Sequence, residues 1–139
     1  MKSSQVLEDL KHGDAETAME AAKAVIAKRL KIPISKIERI AIGTSHGDWG
    51  RVSAIYLLGN LRSKKSAPLL AKILENEKEK PIFREYAAEA LGNIGDSRFL
   101  PVIASVAGRT TSPEIRESCE FALQEIPAIE GRRAVDEER

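Results

Sequence analysis

The sequence predicts an all-α fold: a right-handed superhelical stack of helix pairs, three complete and a partial fourth. Two observations carry this expectation. The stretch REYAAEALGNIGDSRFLPVIASV, Arg84 to Val106, has a counterpart thirty-three residues earlier in RVSAIYLLGNLRSKKSAPLLAKI, Arg51 to Ile73. A fixed period of this size marks stacked helical units, because a single pair cannot bury its apolar face alone. Small residues (Ala21, Ala54, Ala87, Cys119) also recur in one register, where neighbouring helices approach most closely, with large aliphatics one turn later.

The register then assigns each element. Residues 3–11 suit a short amphipathic helix through Val6, Leu7 and Leu10, ended by Gly13. Asp14 can cap the next helix by accepting an orphan backbone N–H. Residues 14–30, rich in Ala, Glu, Lys and Met, are strong helix formers, and Pro33 stops them. Ser35 and Glu38 have the spacing of a capping box for a short helix ending near Gly43. Helices follow over about 50–61, 66–77, 82–94 and 98–108, with Pro81 and Pro113 at the openings of first helices. Ser112, or Thr111 with Glu114, caps a last helix that Pro127 should end. The domain thus spans 1–127, with repeats at about 14–43, 50–77, 82–108 and 113–126. The charged tail 128–139 is expected to be disordered.

Composition bounds the function. The chain of 139 residues is 42% hydrophobic and 31% charged, with 4% aromatic residues, so its core must be aliphatic. Net charge is +1. No segment has the basic excess that phosphate-driven nucleic-acid binding needs. The single cysteine, Cys119, rules out an intrachain disulfide and multi-thiol metal sites, and its register predicts a buried, inert thiol. The N-terminus has no apolar signal region, and no stretch is long and apolar enough for a membrane span, so cytoplasmic residence is the expectation.

The pattern of Arg, two residues, Ala, then Ala-Leu-Gly-Asn-Ile-Gly-Asp resembles the short HEAT-like repeat of phycobilisome bilin lyases and many small bacterial and archaeal proteins. Arg84, Ala87, Ala88, Leu91, Gly92, Ile94, Gly95 and Asp96 carry the likeness best. It is close over about 50–107 and looser over 14–49 and 113–126. Arg62 and Ser63 replace the Gly-Asp turn in the earlier repeat. The ankyrin Thr-Pro-Leu-His signature is absent and the tetratricopeptide Trp and Tyr positions are unfilled. Two HEAT-like enzyme types are also comparable. The deoxyhypusine hydroxylase type needs paired His-Glu motifs to hold iron, whereas His12 and His46 both precede glycine; on that ground this activity is expected to be absent. The alkylpurine DNA glycosylase type is larger, more aromatic and basic.

Three groups of residues are candidate sites. In the loop Thr44–Gly50, His46, Asp48 and Trp49 make either a ligand site or a simple helix start, with Asp48 as N-cap and Trp49 packed on the repeat end. Arg51, Arg84 and Arg116 recur with the repeat and can either form a binding ladder or bond the turn of the preceding repeat, Arg116 to Asp96. Finally, Arg39, Lys65, Lys72, Arg98 and Ser105 fall on the second-helix face opposite the apolar positions 37, 40, 41, 70, 73, 74, 103, 106 and 107. The resemblance places that face on the concave side. The expected function is a non-catalytic protein-interaction module, an adaptor, scaffold or regulatory subunit, receiving an acidic segment of another protein on this stripe. The alternative is an accessory of a bilin or other cofactor lyase. No cofactor or metal is expected, and oligomeric state is open.

Overall fold

The computed structural model describes residues 2–43 and 47–138. Among them are eight α-helices and no strand. They are α1 (Ser3–His12), α2 (Ala15–Ala27), α3 (Ile34–Ile42), α4 (Asp48–Asn60), α5 (Ala67–Glu75), α6 (Pro81–Ile94), α7 (Leu100–Arg109) and α8 (Pro113–Glu138). Helices α2/α3, α4/α5 and α6/α7 form the three pairs, and α8 is the first helix of a fourth. First helices stack in chain order, α2 on α4, α4 on α6 and α6 on α8, while α1 lies against α2 and α4.

Small residues set the spacing of that stack. A Cβ added to Gly59 would lie 2.6 Å from the Cα of Ala90, and one on Gly92 would lie 3.0 Å from the Cα of Ala122. Backbone therefore rides on backbone at successive first-helix junctions. The predicted apolar positions of the second helices close the core, with Ile37, Ile40, Leu70, Leu74, Ile103 and Val106 essentially without exposure. Cys119 is buried as expected, and burial pushes its thiol up to about 11.

The recurring arginines bind a different acceptor from the expected turn. Arg51 Nε donates to the carbonyl of Ala41 at 2.8 Å, Arg84 Nε to Leu74 at 2.9 Å and Arg116 Nε to Ala107 at 3.4 Å. Each carbonyl belongs to the last turn of the preceding second helix, where it has no partner within the helix and the dipole favours a cation. The expected Arg116–Asp96 bridge does not form. Asp96 is held by Arg98 at 2.6 Å, and Arg116 also donates to the carbonyl of Thr110.

The turn inside each repeat is conserved in backbone form where its sequence changes. Gly95 ends α6 at φ 76°, donating its N–H to the Leu91 carbonyl. At the equivalent positions Arg62 (φ 54°) and Arg29 (φ 51°) take the same left-handed conformation without glycine. The register thus imposes the turn even on residues that resist it.

Other local expectations change. Asp14 caps α2 through Thr17 N–H at 2.8 Å. However, α3 opens after Pro33 with no capping box, and Glu38 instead accepts from the Ser66 hydroxyl at 2.8 Å. Gly47, not Asp48, precedes α4; Asp48 lies inside the first turn and receives Lys80 Nζ at 2.6 Å. The most visible departure is the tail. Helix α8 runs through Pro127 to Glu138 rather than ending at 127. Pro127 forfeits one helix bond, but Ile126 and Ile129 on either side are buried. Glu130 accepts from Ser97 N–H at 3.2 Å, and Arg133 donates to the Ile94 carbonyl at 3.5 Å.

Two substitutions test the junction and the turn with opposite signs. Gly59→Ala should overpack the α4–α6 junction and destabilise the protein by ~1–3 kcal/mol. Arg62→Gly should relieve the left-handed strain and stabilise it by about 1 kcal/mol. Urea unfolding of both variants reads the two signs directly.

Candidate functional site

The polar faces of α6 and α8 meet in an open recess of about 480 Å³. Glu85, Glu89 and Asn93 come from α6, and Glu114, Glu117, Ser118 and Phe121 from α8. Helical geometry explains the grouping. Glu85 and Glu89 are one turn apart on one face, a spacing at which like charges repel. The repeat register then sets Glu117 opposite Glu85 and Phe121 opposite Glu89 on the neighbouring helix. The close approach at Gly92 brings the two rows together.

These carboxylates repel one another. Burial, followed by Glu114 and Glu89, pushes the Glu85 carboxyl above its ordinary range. Burial also raises Glu89, opposed by the Ser118 hydroxyl and reinforced by Glu117, although its side chain keeps an open edge to solvent. Tyr86 beside them is raised by burial, then by Glu89, Glu85 and Tyr56. Among the described residues none of the four glutamates has a cationic partner within 4.0 Å. Four carboxylates left facing one opening, with an aromatic wall at Phe121, suit an organic cation.

The residues singled out from sequence are placed differently. Lys65 and Lys72 do come together, on a groove beside α5. Arg39 lines a separate recess with Leu7, Lys11, Lys36 and Ile40. Arg98 is bound to Asp96, and Ser105 accepts from Arg109 at 3.0 Å. The expected continuous stripe is therefore divided. Trp49 is 44% exposed at the start of α4, Asp48 is paired with Lys80, and His46 lies outside the described residues. The glutamate recess was not among the sequence candidates. A partial signal was available: Glu85 and Glu89 stand at i and i+4 on α6, and the repeat register places Glu117 opposite Glu85.

Metal binding gains nothing from the recess. Among the described residues no group of three or more His, Cys, Asp or Glu is placed to hold a metal ion. Its lining offers carboxylates, the Asn93 amide and the Ser118 hydroxyl but no imidazole or thiol, and neither His12 nor His46 is followed by glutamate. The residues therefore do not fit an iron held by His-Glu pairs. No helix among them is long and apolar enough to cross a membrane.

Comparison with known proteins gives the lineage. The family described as HEAT repeats matches residues 39–124. A deoxyhypusine hydroxylase of Candida albicans is 35% identical over 82 residues, 59% of this chain and 26% of that protein. Deoxyhypusine hydroxylase-B of Oryza sativa subsp. japonica is 37% identical over 73 residues, 52% of this chain and 24% of its own length. Among solved structures, human deoxyhypusine hydroxylase in complex with glycerol superposes with a TM-score of 0.71 at 21% identity, over 93% of this chain and 44% of that one. This last likeness is one of fold. The chain spans about a quarter of the length of the curated relatives it matches.

These findings correct three expectations. The repeats are HEAT repeats, but their relatives are deoxyhypusine hydroxylases and not bilin lyases. The relatives are enzymes by name, which overturns the non-catalytic adaptor and scaffold reading. The cofactor-lyase alternative falls with it.

The glutamate cluster makes a pH-dependent prediction. A carboxyl raised in the fold favours folding while protonated, and that contribution is lost as pH rises from the ordinary value of 4.5 through the folded one. At neutral pH the cluster should therefore oppose folding. Glu85→Gln and Glu89→Gln should each raise the melting temperature by a few degrees at pH 7. The gain should vanish near pH 4, where glutamate and glutamine carry the same charge; melting curves at both pH values measure it.

Proposed function

The chain belongs to the HEAT-repeat family, and from that premise we propose that it serves as the amine-binding part of an enzyme of the deoxyhypusine hydroxylase type. The observation that carries this reading is the recess between α6 and α8. Glu85, Glu89, Glu114 and Glu117 face one opening, and among the described residues none of them has a cationic partner within 4.0 Å. The relatives are named for deoxyhypusine, whose amino groups are protonated at neutral pH. An ammonium group entering the recess would relieve the repulsion that raises Glu85 and Glu89, with Phe121 offering a ring edge or face to the alkyl chain.

The assignment is confined to binding and orientation. The carboxylates hold the ammonium group and limit its approach to the open side of the recess. The reading takes no hydroxylation step through this chain, because the donors that the resemblance calls for, imidazole beside glutamate, are not among its residue pairs.

Calorimetric titration with 1,4-diaminobutane tests the reading at low salt. Binding should weaken as salt is added, because the attraction is screened. Glu89→Gln with Glu117→Gln should reduce affinity about tenfold, the effect of losing charge-assisted contacts worth ~1.4 kcal/mol. Equal binding by this variant and the parent protein would sink the reading.

A further inference from the structure

The two buried arginines of successive repeats share one kind of acceptor and differ in a second. Arg51 and Arg84 are each 8% exposed, and each Nε donates to a carbonyl at the end of the preceding second helix. At Arg51 the rest of the guanidinium is satisfied as well. Its two terminal nitrogens donate to the two carboxylate oxygens of Glu79, Nη1 at 3.2 Å, in the paired geometry that suits a planar fork. Its carbon also lies 4.1 Å from the centre of the Phe83 ring. Arg84 has neither contact. Among the described residues it enters no ion pair, and the bond from Nε to Leu74 is the one hydrogen bond its side chain makes.

The sequence explains the difference. Glu79 stands two residues before Pro81, the first residue of α6, and Thr111 stands two residues before Pro113, the first residue of α8. The carboxylate of one repeat is thus a short hydroxyl side chain in the next, and Phe83 becomes Ile115. An open recess of about 360 Å³ lies at this place, lined by Glu77, Arg84, Arg109, Thr110 and Thr111. The Thr110 hydroxyl is engaged, accepting from Ser112 N–H at 3.1 Å. Arg109 donates to Ser105 at 3.0 Å and has Glu77 at 3.9 Å. Two arginines and one glutamate leave the recess one positive charge in excess. That balance suits a monoanion, whereas a dianion would meet Glu77 with charge left over.

We propose that this recess binds the carboxylate of a small organic acid, seated on the terminal nitrogens of Arg84 as Glu79 is seated on those of Arg51. Arg109 adds a second positive charge and Thr111 a hydroxyl donor. The preceding repeat supplies the template, because there the same buried guanidinium already holds a carboxylate through both oxygens. A guanidinium buried to this degree gains most from an anion that meets its planar fork with two oxygens. The site shares no residue with the glutamate recess, and it stands or falls apart from the amine reading.

Nuclear magnetic resonance of the whole chain tests the site with propionate as the probe. Added at constant ionic strength, propionate should move the Nε–H resonance of Arg84 saturably and leave that of Arg51, whose carboxylate is in place, unmoved. Replacing Arg84 would also break its bond to the Leu74 carbonyl, so the control fills the recess instead. Thr111→Glu, at an exposed position, returns a carboxylate to the place that Glu79 holds in the preceding repeat. This variant should stay folded by circular dichroism and lose the saturable shift at Arg84. An Arg84 resonance that propionate leaves unmoved in the parent protein overturns the proposal. So does an equal shift in the Thr111→Glu variant, or a response to inorganic phosphate stronger than that to propionate at the same ionic strength.

Discussion

The contact on which the structure depends is the approach of one first helix to the next across a residue with no side chain. Gly59 lies on Ala90 and Gly92 on Ala122, so α4, α6 and α8 pack with their backbones nearly touching. Close approach removes the gap that longer side chains would otherwise hold open, and the aliphatic rows on either side then close over it. It also fixes the relative rotation of the helices. Once Gly92 sits against Ala122, the outward faces of α6 and α8 have no freedom to turn apart, and the glutamates they carry are brought into one recess.

The arginines complete the join from the other side. Each reaches back to a carbonyl in the final turn of the preceding second helix. That acceptor is orphaned in any helix of finite length, so the contact satisfies a group the fold would otherwise leave unpaired. Arg51 and Arg84 are each only 8% exposed, because another repeat follows and covers them. Arg116 makes the same bond in the open. Among the described residues no further helix packs over α8, and Arg116, Glu117, Glu120 and Gln124 on it are polar and exposed.

The glutamate recess and the lysine groove show how one scaffold separates opposite charges. The chain is close to neutral, yet carboxylates without an ion-pair partner among the described residues collect on α6 and α8, while Lys65 and Lys72, likewise without one, lie beside α5. Repeats make this simple, because a face that recurs in register receives every residue placed at that position. Nothing in the repeat motif distinguishes the two, because the motif residues all point inward.

The sequence by itself determined the helix pairs, their period and their buried positions, since each follows from local periodicity and from residues that only a close helix contact explains. Ala54, Ala87 and Cys119 lie in the core where the register places them. The left-handed turn was legible at Gly95 but not at Arg29 or Arg62, where tertiary packing overrides the preference of the residue. The end of α8 was missed for a similar reason: Pro127 is a local stop signal, and Ile129, Glu130 and Arg133 outweigh it through contacts with residues more than thirty positions away. Only the tertiary structure decided which charges meet. It gave Asp96 to Arg98 rather than Arg116, divided the expected stripe, and set Glu85 and Glu89 facing Glu114 and Glu117. Charge pairing depends on distances of a few ångströms between side chains on different helices, and the helix rotation that sets those distances is a property of the packed stack.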